Sequence, residues 1–211
     1  MKELVFLLEE PSAMAMLESL LPRILPNEIS VRCIPFEGKQ DLEKQMTRKI
    51  RAYQNQEARF IILRDLDNHP DCLAVKRNLL KLCADSGKAA QCVVRIDCKE
   101  LETFYLADLQ AVEQALQING LVKQQQNKKF RTPDNLGSPS RELKNMTRQR
   151  YEKIAGSREI GKHLNLENER SPSFRNLLGA IRRMVHELMP HPARRRPLIP
   201  AGHSKAGEPQ A

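Results

Sequence analysis

The chain has 211 residues, of which 40% are apolar and 29% charged, the balance of a globular chain that can bury a core without disulfide or metal staples. No apolar run approaches the ~20 residues of a membrane helix, and residues 1–8 lack the length and cleavage site of a signal peptide. The net charge of +9 is uneven: residues 121–211 hold 19 Lys+Arg against 8 Asp+Glu, whereas residues 1–120 hold 16 against 18, a split that points to a polyanion partner for the C-terminal half.

Glu3-Leu-Val-Phe-Leu-Leu8 is a short apolar run closed by Glu-Glu-Pro and reads as a buried strand. Met14, Met16, Leu17, Leu20 and Leu21 then fall on one face of a helix over 12–21, with Ser12 as its cap. Residues 29–36 begin with alternation and read as a second strand. Residues 41–54 are an amphipathic helix with Leu42, Met46 and Ile50 on one face. A third strand is expected at 59–63, a helix at 73–84, a fourth strand at 91–96 and one helix over 101–117. From 120 to 140 the composition turns polar and reads as a connector. Helices follow at 141–154 and 174–188, the second preceded by the capping signal Ser171-Pro-Ser173. This order predicts an α/β fold with a mostly parallel sheet: a domain at 1–120, a basic helical C-terminal extension at 121–189 and a disordered tail at 190–211.

The five cysteines, an odd number without a CxxC, argue against a disulfide framework or a zinc ribbon and for a reducing cytoplasm. No GxxxxGK[ST] or GxGxxG occurs, so any ATP energy has to come from a partner.

Ligands of parallel sheets bind at the carboxyl ends of strands, and acids cluster at three of them: Glu9 with Glu10, Asp65 with Asp67, and Glu100 with Glu102. Carboxylates that converge repel unless a cation neutralises them. Oxygen donors without a histidine array suit Mg²⁺ or Mn²⁺ rather than zinc, and such an ion can activate water for attack on a phosphodiester. On this reading Asp65 and Asp67 hold the metal, Glu9 is a further ligand or the general acid/base, and Glu100 and Glu102 are either more distant ligands or the solvated start of a helix. Arg64 and Arg95 are candidate phosphate contacts, and His69 a candidate ligand or proton shuttle. Lys128, Lys129, Arg131, Arg141, Lys144, Arg148, Arg150 and Lys153 are candidate contacts to a nucleic-acid backbone.

A glutamate after the first strand and an Asp-x-Asp after a later one resemble the Toprim fold of topoisomerases, primases and overcoming-lysogenization-defect nucleases. Leu8-Glu-Glu-Pro-Ser12, Arg64-Asp-Leu-Asp-Asn-His-Pro-Asp-Cys72, Glu100-Leu-Glu-Thr-Phe-Tyr-Leu-Ala-Asp108, Tyr151-Glu-Lys-Ile-Ala-Gly156 and Ser171-Pro-Ser-Phe174 are similar, in that order, to the small prokaryotic family called domain of unknown function 4276. The resemblance covers roughly residues 3–188. It implies a Toprim-like, Mg²⁺-dependent nuclease acting beside an ABC-type ATPase, including in phage defence. Departures are Glu10 where the family usually has glycine, Ala13 where it has a second glutamate, and Phe104 where it has tryptophan. Two other readings stay open: a non-catalytic Toprim-like subunit, favoured by the altered Glu-Glu-Pro-Ser-Ala opening, and a nucleic-acid-binding protein acting through its basic half.

Overall fold

A computed structural model describes residues 1–189. The expected tail at 190–211 lies outside the described residues. The chain folds as β1 (Glu3–Leu8), α1 (Pro11–Leu20), β2 (Ser30–Pro35), α2 (Lys39–Arg51), β3 (Arg59–Asp65), α3 (Cys72–Asp85), β4 (Cys92–Asp97), α4 (Glu102–Leu106), α5 (Leu109–Leu116), α6 (Lys128–Arg131), α7 (Pro139–Met146), α8 (Lys153–His163) and α9 (Pro172–Leu188), with short 3₁₀ turns between several of them. The four strands form one sheet in the order β2-β1-β3-β4, and every pairing is parallel.

Both faces of that sheet are covered, which is why β1 and β3 read as unbroken apolar runs. The side chains alternate between two cores. Val5, Leu7, Phe60, Ile62, Val94 and Ile96 pack against α2 and α3 through Leu42, Met46, Ile50, Val75 and Leu79. Leu4, Phe6, Leu8, Ile61, Leu63 and Val93 pack on the other face against α1, α4, α5, α7, α8 and α9. The basic segment 121–189 is therefore built into the same core as the sheet: Phe130, Leu143, Tyr151, Ile160 and Phe174 share it with Leu4 and Phe6.

Several elements differ from the sequence reading. α1 begins at Pro11, a proline suited to the first helical position, and Ser12 caps nothing; its hydroxyl donates to Glu10 Oε2 at 3.2 Å. The single helix expected at 101–117 is two, because Asp108 Oδ1 accepts the Ala111 N–H (3.2 Å) and opens a new helix there. The helix expected at 141–154 ends at Met146, and α8 starts afresh at Lys153. Glycines 156 and 161 lie inside α8. A Cβ on Gly161 would stand 2.6 Å from the Met16 carbonyl oxygen, so glycine is what lets α8 lie directly on α1.

Candidate functional site

Chain order reverses between β1 and β3, since β1 continues to β2 on one side and β3 to β4 on the other. Such a switch point opens a crevice beyond the carboxyl ends of the two strands. Glu9 and Asp65 flank it. The Glu9 backbone N–H donates to the Leu63 carbonyl (3.2 Å), and Glu9 Oε2 accepts the Asp65 backbone N–H (3.1 Å). The side chain of Glu9 thus extends the β1–β3 ladder by one rung and is itself fixed.

The loops beyond β3 and β4 are joined in the same way. Leu66 N–H donates to the Asp97 carbonyl (2.8 Å), and Asp67 N–H to the Lys99 carbonyl (2.7 Å). Asp67 has φ +53°, a left-handed conformation that aspartate tolerates better than most residues. Its Oδ2 accepts from Lys39 Nζ at the start of α2 (2.8 Å).

Asp65 and Asp97 are register partners on adjacent strands, so their side chains leave the sheet on one face, the face under α4, α8 and α9. Glu102, buried at the start of α4, sits there too; its Oε1 accepts from the Tyr151 hydroxyl (2.9 Å), which also meets Ser157 Oγ (3.1 Å). Lys153, the first residue of α8, forms an ion pair with Glu10.

The carboxylates raise one another's proton affinity. Burial and the charge of Asp67 push Glu9 up to about 7, against the opposing pull of Arg64 and the Asp65 N–H. Desolvation and then the charges of Asp97, Glu9 and Glu102 hold Asp65 well above the usual carboxylate range. Desolvation and then Asp134, Glu9 and Glu102 do the same to Asp97. Lys153 loses proton affinity to desolvation but gains more from Glu10, Glu102 and Asp65, so its ammonium is held above its ordinary value.

The structure thus brings Glu9, Asp65, Asp67 and Glu102 to one edge. The charge of Glu100 bears on Glu102, but its Oε2 accepts the Ser140 N–H in the first turn of α7 (2.7 Å), where a carboxylate offsets the helix dipole. Arg64 is buried beneath the edge, 2.7 Å from Glu43 Oε1 and 3.8 Å from Glu9 Oε2, and is not free to meet a phosphate. Arg95 donates to the Asn176 carbonyl of α9 (2.9 Å). His69 Nδ1 accepts the Asp71 N–H within an exposed turn. Lys153 joins the acidic edge rather than the outer basic surface. Lys128, Lys129, Arg131, Arg141, Lys144, Arg148 and Arg150 are all exposed; Lys129 Nζ lies 2.6 Å from Glu142 Oε1 and links α6 to α7. Asp97 escapes the sequence reading because β4 is expected there to end at Ile96; it ends one residue later, with an acid where β3 also ends with one. Tyr151 and Lys39 give no local signal, since their roles come only from tertiary placement.

The family described as a domain of unknown function (DUF4276) matches residues 8–182. The chain belongs to this family. No curated protein and no solved structure matches it. The DUF4276 match runs from the end of β1 into α9, so the family's domain includes the acidic edge and the helices that roof it.

Whether this edge suits a divalent cation is a matter of donors and of geometry. The donors are hard oxygens, and Asp97 is 1% exposed with neither carboxylate oxygen hydrogen-bonded, so their chemistry fits a hard cation. Among the described residues no three His, Cys, Asp or Glu side chains stand together as a ready cage. Mg²⁺ does not need one, because it keeps several waters and commonly takes one or two carboxylates plus substrate phosphate. Asp67 is drawn aside by Lys39, and an ion pair this exposed opens at a cost of about 0–1 kcal/mol.

Two predictions arise here. Glu9 holds its proton up to about 7 when folded and only to 4.5 at its ordinary value, so the folded chain carries more protons between those limits and loses stability as pH rises through them. In chelator the Tm falls from about pH 5 to about pH 8, and Glu9→Gln makes that fall shallower; a Tm that climbs over the same window would contradict it. Second, Tyr151→Phe strips buried Glu102 of a donor and lowers stability by about 1–3 kcal/mol, readable by urea denaturation. Unchanged stability would mean that Glu102 is satisfied elsewhere.

Proposed function

We propose that the protein is a Toprim-like, divalent-cation-dependent nuclease that cleaves DNA or RNA phosphodiesters. The observation that carries this reading is the carboxylate edge at the β1–β3 switch point, with Glu9 and Asp65 at the ends of neighbouring strands and Asp67 and Glu102 beside them. Asp65, Asp67 and Glu9 would hold Mg²⁺ or Mn²⁺, with Glu102 behind them. When bound, the ion supplies charge stabilisation at phosphorus and a more acidic water.

The chain's own residues supply the rest. Glu9 Oε2 is fixed by the Asp65 N–H, and its carboxyl gains and loses a proton near pH 7, which suits it to general acid/base work. Lys39 and Lys153 hold Asp67 and Glu10 at the rim, so the acidic edge is flanked by cations that lessen its repulsion of a phosphate chain. Lys128, Lys129, Arg131, Arg141, Lys144, Arg148 and Arg150 form the exposed basic surface for the nucleic-acid backbone, and binding through them is salt-sensitive and tolerant of sequence. Action as the effector of an ABC-type ATPase in phage defence is supported by the resemblance of the five sequence blocks.

One observation favours the second reading, a non-catalytic Toprim-like subunit or nucleic-acid-binding partner of that ATPase: Asp67 and Glu10 are already ion-paired within the chain. Metal dependence separates the two. Mixed single- and double-stranded DNA and RNA are incubated with the protein in Mg²⁺, Mn²⁺ or chelator, with and without the ATPase. Cleavage in either metal that chelator stops supports the nuclease. Binding without cleavage in every condition supports the subunit.

A further inference from the structure

We infer that Asp97 is a cation ligand, and that a divalent ion is shared between Asp65 and Asp97 across the ends of β3 and β4. This rests on the metal-dependent reading above and moves the centre of the site away from Asp67 and beneath the C-terminal helices.

Asp65 and Asp97 are paired in register as the last residues of two adjacent parallel strands. Neighbouring strands run about 4.8 Å apart, so two aspartates in register on one face can both reach a single ion. Asp97 is 1% exposed, and both its oxygens lack a hydrogen-bond partner. A buried carboxylate left in that state is costly, and native chains retain one only where something compensates it. Among the described residues no cation compensates it, and the Tyr105 hydroxyl, buried where the charges of Asp97 and Asp65 reach it, donates to neither. Asp134 presents a further buried unpartnered oxygen, Oδ1, while its Oδ2 accepts the Ser173 N–H (2.9 Å). The Lys153 ammonium is engaged with Glu10, and Arg95, two residues back on β4, is turned onto the Asn176 carbonyl. The backbone fixes the pair from beneath, since Leu66 N–H holds the Asp97 carbonyl. A hard cation with two carboxylates and retained waters meets this arrangement without a third protein ligand.

The test counts bound Mn²⁺ by the loss of its free paramagnetic resonance signal, beside thermal melts in Mn²⁺ and in chelator. Wild type, Asp97→Asn, Asp97→Ser and the surface control Asp85→Asn are compared in the full chain. Wild type and Asp85→Asn are expected to bind one or more Mn²⁺ and to gain Tm with it. Both Asp97 variants are expected to bind at least ~10-fold more weakly and to lose most of that gain. In chelator they melt no lower than wild type, because the carboxyl group removed makes no hydrogen bond there. Asp97 variants that bind Mn²⁺ as wild type does overturn the assignment and leave the nuclease reading standing. Variants that unfold in chelator also overturn it, since the carboxylate would then be a stabilising group. Loss of Mn²⁺ binding in both variants, beside a wild type that cuts nothing, upholds Asp97 as a ligand and removes the nuclease.

Discussion

On the proposed nuclease reading, Asp65→Asn is expected to reduce Mg²⁺-dependent cleavage by about 10²–10³-fold or more and to leave nucleic-acid affinity in chelator within about threefold. Asp65 is the carboxylate on which the others converge: the charges of Asp97, Glu9, Glu102 and Glu10 all bear on it. Asparagine keeps its size and removes one negative charge, so the site loses a ligand while the strand end keeps its shape. On the same reading binding survives, because the exposed basic residues of α6, α7 and the following turn are untouched. Asp67→Asn loses less activity than Asp65→Asn, since the Asp67 carboxylate is partly spent on Lys39. The measurement pairs single-turnover cleavage in Mg²⁺ with affinity in chelator at one salt concentration. If Asp65→Asn cuts as well as wild type, the acidic edge is not where the reaction happens. If affinity in chelator collapses along with cleavage, the acids help to hold substrate and the division between edge and basic surface is wrong.

Gly161→Ala destabilises the fold by about 1–3 kcal/mol, a drop in Tm of roughly 2–12 °C for a chain of this size. The added methyl meets the backbone of α1, 2.6 Å from the Met16 oxygen and 3.2 Å from its Cα, and backbone cannot swing aside as a side-chain tip can. The helix α8 has to lift. Lys153 and Ser157 ride on α8, so the ion pair to Glu10 and the hydroxyl contact to Tyr151 loosen together. Gly179→Ala is the control, because a Cβ there meets nothing within 4 Å; it is expected to leave stability unchanged or slightly raised. Equal melting of the two variants would show that α8 and α1 have slack between them.

The strands are legible in the sequence because burial on both faces leaves them uniformly apolar, as in Leu4 to Leu8 and Phe60 to Leu63. Glu9, Asp65 and Asp67 are legible because strand-end placement follows once the strands are known. α8 is expected nowhere beyond residue 154; inside it Gly161 marks close helix packing and Gly156 lies under the Tyr151 ring. Glu100 and Glu102 look alike in sequence, two residues apart, yet one serves α7 and the other turns inward to Tyr151. Lys153 reads as one more cation of a basic half until the fold carries it to Glu10. The contacts of Gly161 with Met16, Glu100 with Ser140, Glu102 with Tyr151 and Lys153 with Glu10 join residues far apart along the chain, and no local pattern encodes them.

The roof over the acidic edge also sets the order of events at the ribosome. Glu9, Asp65 and Asp97 leave the exit tunnel early, but Tyr151, Lys153 and the apolar face of α9 follow only after roughly 50–90 further residues, several seconds of synthesis at ordinary rates. Until then the sheet face carrying Leu4, Phe6, Ile61 and Val93 has only part of its cover. A nascent chain therefore holds its acids without the groups that orient them, and on the proposed reading chemistry at this edge begins only when the last helix docks. Ribosome stalling within residues 100–150 would yield an inert but sticky product, a substrate for chaperones rather than a stray nuclease.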